Sequence, residues 1–267
     1  MTGVPAARHA LALLQSLARS PGPVPAAALA RELGLPRSST YHLLAELIGA
    51  GFVVHLPEER RYGLGVSAFE IGSAYSRQEP LARLARPPLA RLVDAVGHSA
   101  HLAVLHGREV LYVVEQRAPG RPPLVTDVGV RLPAQLTASG RALLADLPAP
   151  QVRALFPDAG AFVDRHGAGP QKLSELRRLL GEVRRAGYAT EDGEVTPGFA
   201  SVAAAVHDHA GRPTAGIAVT FPAEDVDASA RDELAVRVGR AAAELTRRIN
   251  GRSPKRLGSR TTPPVKG

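Results

Sequence analysis

The chain of 267 residues contains no cysteine, which removes disulfide scaffolds, thiol nucleophiles and zinc fingers together. No apolar run approaches the roughly 20 residues that a membrane span needs, and the first residues lack the basic, apolar, small order of a secretory signal. A soluble, cytoplasmic protein without a membrane partner is expected. Glycine-rich phosphate loops are missing. The stretch "TASGRA" lacks the Gly-x-Ser-x-Gly elbow, and nothing marks a histidine and an acid to partner its serine, so a serine hydrolase is disfavoured. His98, His101 and His106 crowd together in "HSAHLAVLH", but their odd and even offsets mix and no carboxylate lies at ligand spacing. Neither a metal nor a cofactor is expected. The "HDH" run at 207–209 stands where a strand should lead into a turn and reads as surface.

With 45% hydrophobic residues, the chain is long enough for two ordinary domains, each with its own core. The net charge of +8 invites a nucleic-acid reading, yet its distribution tempers that. Residues 1–75 hold six Arg against five Glu, and residues 76–250 hold 22 basic against 20 acidic side chains. The remaining +5 sits in "GRSPKRLGSRTTPPVKG" at 251–267, whose Pro, Gly and Ser content and scarcity of apolar residues predict a disordered basic tail.

What is present begins with helical spacing at Leu11, Leu14, Leu17 and Ala18, ending at the Ser-Pro-Gly-Pro break of 20–23. A short second helix carries Ala26, Leu29, Ala30 and Leu33, with Gly34 where a C-terminal glycine belongs. Pro36 then suits the first position of a third helix that runs to Gly49 or Gly51. After it, "FVVHLPEERRYGLG" reads as two short strands around a Pro-Glu-Glu-Arg-Arg turn. Three helices and a hairpin in this order are a winged helix-turn-helix, in which the third helix enters a DNA groove and the hairpin is the wing.

Residues 66–96 look helical, interrupted near Glu79-Pro80, and Pro87 and Pro88 limit where the second piece starts. Strands follow in "AHLAVLH", "EVLYVVEQ" and "PLVTDV", then helices over 138–147, 150–156 and 171–187. Strands "SVAAAVHD" and "TAGIAVTF" flank the turn "HAGRP", and a last helix covers 229–249. The fold class is α+β. The divisions are 1–64 for the winged helix-turn-helix, 65–78 for a linker helix, 79–250 for an effector-binding domain and 251–267 for the tail.

On a helical wheel, Thr40, Leu43, Leu44 and Leu47 share one stripe, while Arg37, Ser38, Tyr41, His42 and Ala45 share the other. The first stripe is core. The second, with Ser39 at the same helix start, offers a guanidinium, hydroxyls, a phenol and an imidazole to phosphates and base edges. The plainer reading is an amphipathic surface helix whose Arg37 and His42 are only solvated. At the wing tip, Arg60 and Arg61 are candidates for the minor groove or for phosphate, partly offset by Glu58 and Glu59. In the second domain, Thr137 sits where an N-cap belongs, leaving the amides of Ala138 and Ser139 as free donors that favour a carboxylate. The plainer alternative has Thr137 capping its helix and nothing more.

Four pieces in order, "LARELGLPRSSTYHLLAELIGAGFV", "ERRYGLG", "GVRLPAQLTASGRALLA" and "GEVTPGFASVAAAVHDHAGRPTAGIAVTFP", resemble the IclR family of bacterial transcriptional regulators. The resemblance implies a winged helix-turn-helix, a linker helix and a GAF-like α+β effector domain, in dimers or tetramers that bind operator DNA and respond to small organic acids. It implies that the backbone at Ala138 and Ser139 contacts the acid group, that Ser201 and Thr220 add hydroxyls, that Leu132 and Phe199 give apolar walls, and that Glu191 or Asp192 meets a ligand hydroxyl or oxo group. Ala218 stands where some members have a polar residue, His42 where many have Arg, and Ser201 where a Cys is frequent. Two rival functions stay open: an enzyme acting on a small acid, and a winged helix that serves only protein contacts.

Overall fold

A computed structural model describes residues 4–78, 80–121 and 124–252, so the expected tail beyond 252 lies outside the described residues. The chain divides into two compact units, Met1–Glu79 and Pro80–Gly267.

The first unit contains α1 (Pro5–Arg19), α2 (Ala26–Glu32), α3 (Arg37–Gly49), a hairpin of β1 (Val53–Leu56) and β2 (Arg61–Leu64), and α4 (Val66–Gln78). α2 stops where Gly34 takes φ +63°, a left-handed conformation that suits glycine. The Leu35 amide then donates to the Ala30 carbonyl and the Gly34 amide to that of Arg31, closing a Schellman turn. Pro36 caps α3 from just outside it, one place earlier than expected, and its carbonyl accepts from the amide and hydroxyl of Thr40. Leu13, Leu17, Leu29, Leu44, Leu47, Val53 and Tyr62 form the core. The buried stripe of α1 keeps Leu14 and Leu17 of the expected set but takes Ala10 and Leu13 in place of Leu11 and Ala18: Leu11 is 61% exposed and Leu13 is buried. "LALLQSLA" has apolar residues on two faces, and the bond from Ser16 Oγ to Glu32 Oε2 (2.7 Å) turns the Ser16 side inward.

The second unit begins with α5 (Pro80–Val96) and continues through β3 (Ser99–His106), β4 (Glu109–Gln116), β5 (Arg131–Pro133), α6 (Ala138–Ala145), α7 (Ala149–Leu155), α8 (Leu173–Ala186), β6 (Ala189–Asp192), β7 (Phe199–His207), β8 (Pro213–Pro222) and α9 (Ala228–Arg248). The strands form one antiparallel sheet in the order β5-β4-β3-β8-β7-β6. Alternation gives each face its own core. Ala100, Leu102, Val202, Ile217 and Val219 pack with α5 and α9; Ala103, Tyr112, Ala203 and Ala218 pack on the side of α6 and α8. A register shift between Leu102 and Ala103 keeps both Val114 and Tyr112 buried, on opposite faces.

Three expectations need correction. Pro87 and Pro88 lie inside α5 and do not delimit it; burial of Ala82, Ala85, Leu89, Leu92 and Val93, at roughly 1.5–3 kcal/mol for each large side chain, offsets the lost backbone donors. The strand expected at 123–128 is absent from its described part, 124–128; Gly129 at φ +88° breaks extension, and pairing with β4 starts at Arg131. His207 is buried, not surface: its Nε2 meets Asp146 Oδ2 at 2.8 Å, and its amide donates to Thr246 Oγ1. β6 is a further strand, outside those expected.

Candidate functional site

The two units carry different kinds of site. In the first, the side of α3 opposite its core is open. Arg37, Ser38, Tyr41, His42 and Ala45 are exposed, Tyr41 at 53%, and Ser39 is half-buried beside them. No side chain caps α3, so its first-turn amides remain available as donors to an anion. Thr40, Leu44 and Leu47 face the core and fix this orientation. An open groove between α2 and α3 is bounded by Arg31 and Arg37; Arg31 had no place in the helical-wheel reading because it belongs to the neighbouring helix. The two wing arginines differ. Arg60 stands exposed in the turn with φ +52°, whereas Arg61 donates through Nη1 to the Pro23 carbonyl at 2.9 Å, bracing the wing beside the Val24–Tyr62 bridge.

In the second unit, a partly enclosed cavity lies on the α6 face of the sheet. The space open to the centre of a water molecule is about 70 Å³, a scale for a small molecule and not for a chain or polymer. One wall is the start of α6. Thr137 accepts from the Gly140 amide at 3.0 Å as its N-cap, and the Ala138 and Ser139 amides sit in the first turn, beyond reach of any helical carbonyl. This close docking depends on Gly140, where a Cβ would stand 2.2 Å from the Ala134 carbonyl oxygen.

The opposite wall is the row formed by β6, β7 and β8. Ser201 Oγ donates to Glu191 Oε1 at 2.7 Å and lies 3.0 Å from Thr220 Oγ1. Glu191 Oε2 is buried and has no hydrogen-bond partner, a costly state that a ligand would relieve; the buried Ser139 hydroxyl lies beside the Tyr112 phenol, with which it interacts. Burial pushes the Glu191 carboxyl up to about 7; Glu194 adds to the rise, while Ser201, Arg141 and the Val195 amide oppose it. At neutral pH the group is therefore poised between donor and acceptor. Tyr112 is raised by burial and by Glu191, so its phenol stays protonated.

Arg141 holds the two walls in relation. Buried in α6, it donates to the carbonyls of Gln135 and Thr190 and to Glu194 Oε1, and Glu194 Oε2 accepts from the Asp192 amide. Asp192 itself points away, to Arg231. Of the two acidic candidates, it is thus Glu191 that faces the cavity.

Ala138, Ser139, Glu191, Phe199, Ser201 and Thr220 line this one space, with Ala218 among them. Leu132 does not line it; it is buried on β5 within the neighbouring core. Tyr112, Thr126, Val195 and Thr196 also line the cavity and went unseen in sequence. Thr126 Oγ1 meets the fully buried His101 Nε2 at 2.8 Å, and burial lowers that imidazole to about 3, with Arg117 contributing.

Known proteins match both units of the chain. The model of the IclR helix-turn-helix domain matches residues 6–57, and that of the bacterial transcriptional regulator IclR C-terminal domain matches residues 73–247. The HTH-type transcriptional repressor AllR of Klebsiella pneumoniae is 30% identical over 228 residues, 83% of this chain and 81% of that protein. Among solved structures, an IclR-type regulator from Silicibacter sp. TM1040 aligns with a TM-score of 0.83 at 23% identity, covering 95% of this chain and all of that one (100%). An IclR homologue from Microbacterium hydrocarbonoxydans, solved with 4-hydroxybenzoate, aligns with a TM-score of 0.76 at 21% identity, covering 91% and 98%. With a family model spanning well over half its length, the chain belongs to the IclR family of bacterial transcriptional regulators, proteins that act through DNA and are not enzymes.

Proposed function

We propose that this regulator binds a small organic acid in the cavity of its second unit and that occupancy alters its affinity for operator DNA. The observation that carries the reading is the buried, unpartnered Glu191 Oε2, lining one cavity with the Ser139 hydroxyl and the uncapped amides of Ala138 and Ser139. The ligand carboxylate sits at these amides, where the helix start favours negative charge. Glu191, in its protonated form, donates to a hydroxyl or oxo oxygen of the ligand, Ser201 and Thr220 orient it, and Phe199 gives an apolar wall. The 4-hydroxybenzoate bound by the Microbacterium homologue is an acid of this chemistry.

At the DNA, Arg37, Ser38, Ser39, Tyr41 and His42 of α3 meet base edges and phosphates in the major groove, with Arg60 and Arg61 at the wing. Two such helices in a homo-oligomer, a dimer or a tetramer, call for a pseudo-palindromic site. Coupling between acid and DNA is bounded by the ligand's differential affinity for the two arrangements of the protein, typically about 1–3 kcal/mol.

A melting-temperature screen of small carboxylic acids with the full chain tests the cavity. An acid that raises the melting temperature in the wild type and not in Ser201→Phe is the expected result, and a screen in which no acid acts would remove the reading. Gel shift against the upstream region of the protein's own gene tests the DNA face; a winged helix serving only protein contacts would leave it unshifted.

A further inference from the structure

The polar row on the sheet does not stop at the cavity. Glu191 pairs with Ser201, Ser201 with Thr220, and Thr220 with Ser99, so four polar residues stand side by side across β6, β7, β8 and β3 on one face. At about 4.8 Å per strand, the row spans roughly 14 Å. Its first three members line the cavity described above. Thr220 and Ser99 line a second, smaller space, about 10 Å³, which holds a single water-sized group. The two spaces share Leu124, Phe199 and Thr220.

His98 lines the second space. It is 8% exposed, and its Nδ1 is buried without a partner. Burial foremost, and the charge of Arg121 next, hold its imidazole below the usual histidine range. The ring is therefore neutral, able to donate from one nitrogen and accept at the other. Among the described residues, the one cation lining this space, Arg121, is engaged with Asp225 at 2.7 Å and with the Gly97 carbonyl, so no described group there calls for a second negative charge.

A ruler along β8 sets the reach. A Cβ on Gly216 would stand 3.2 Å from Ser139 Cα, which places the α6 start over Gly216. Thr220 lies four residues further along the strand, roughly 13 Å away. A single-ring acid such as benzoate, with its carboxylate at the α6 start, would be too short to reach from there past Thr220.

We infer that the effector site extends past Thr220 into a subsite lined by His98, and that it selects elongated acids carrying an uncharged oxygen, hydroxyl or carbonyl, at the end remote from the carboxylate. The inference rests on the acid-binding reading above. In it, the carboxylate meets the α6 start, the body of the ligand lies along the Ser201–Thr220 row, and the remote oxygen exchanges a hydrogen bond with His98 Nδ1.

Two pairs of acids separate the two readings: benzoate with 4-hydroxybenzoate, and 3-phenylpropanoate with 3-(4-hydroxyphenyl)propanoate, which is two methylene groups longer. Calorimetric affinities for the full wild-type chain are expected to rise about tenfold when the longer acid gains its hydroxyl. In His98→Leu that gain falls below about twofold, in His98→Asn most of it returns, and the gain within the benzoate pair is the same in all three proteins. In the wild type, ¹⁵N NMR of the histidine rings reports a change at His98 with the long phenol and none with 4-hydroxybenzoate, a readout that needs no variant to fold. If acids bind but His98→Leu leaves the long pair's hydroxyl gain intact, or the His98 ring does not respond, the subsite is overturned and the acid-binding reading stands. If none of the four acids binds and the wider acid screen is also silent, both fall together.

Discussion

The helix-turn-helix unit and the effector unit place polar groups in opposite ways. On α3, the side opposite the core is exposed, because water and counterions solvate Arg37, Tyr41 and His42 at little cost; in the function proposed above, DNA would take their place. In the second unit, Arg141, Glu191, Ser201 and His207 are buried, and each draws on a partner outside its own element. An exposed recognition face can therefore be altered with little effect on stability, whereas the cavity's chemistry and the unit's folding share the same bonds.

The largest expected effect is at Arg141. Its guanidinium is 3% exposed and meets Glu194, itself 14% exposed, together with two carbonyls. Arg141→Ala leaves that carboxylate without its counter-charge and those carbonyls without this donor, and should destabilise the second unit by about 3–5 kcal/mol; urea unfolding of the full chain measures it. A loss below about 1 kcal/mol would mean that the walls of the cavity are held by something else.

The first unit gives the sharpest contrast within one helix. Leu44→Ala, at a fully buried position, is expected to cost about 2–5 kcal/mol of stability. Arg37→Ala, seven residues earlier on the open side, should change stability by less than about 0.5 kcal/mol and yet weaken operator binding by roughly 1–3 kcal/mol if it meets a base edge. Denaturation and fluorescence anisotropy on the same samples read both quantities, and operator affinity untouched in Arg37→Ala would take that residue out of the interface.

The smallest effect is a pH dependence. A carboxyl raised from 4.5 to about 7 is ionised less readily in the folded state than in the unfolded one. Its penalty on stability is therefore absent below about pH 4.5, grows as pH rises towards 7 and is constant above. For ligand binding the protonated form is the donor, so acid affinity is expected to weaken about tenfold between pH 6 and pH 8, and Glu191→Gln should flatten the profile. An affinity that strengthens over that interval would assign Glu191 the opposite role.

These differences also govern what was legible in sequence. The recognition helix follows from local signals: the Gly34-Leu35-Pro36 break, a 3.6-residue period and a chemically distinct outer face. The start of α6 was legible for the same reason, since Thr137 and the two amides behind it are neighbours in the chain. Glu191, Ser201 and Thr220 were reached through family resemblance, because no local period links three strands. Tyr112 and Thr126 were missed because β4 and the segment before β5 reach the cavity only through the tertiary fold. Leu132 was misplaced as a wall because an apolar residue on an edge strand packs equally well into the core beside the cavity. His207 was misread as surface because its partner, Asp146, lies 61 residues away.

The proposed regulation depends on communication between the cavity and the DNA face, and one measurement addresses that directly: operator affinity of the full chain by anisotropy, with and without a saturating acid drawn from the thermal screen. The expected result is a change of roughly 5- to 150-fold in operator affinity, of the same factor when acid affinity is measured with and without operator, and absent in Ser201→Phe. An acid that binds the wild type tightly and leaves operator affinity unchanged would contradict the account.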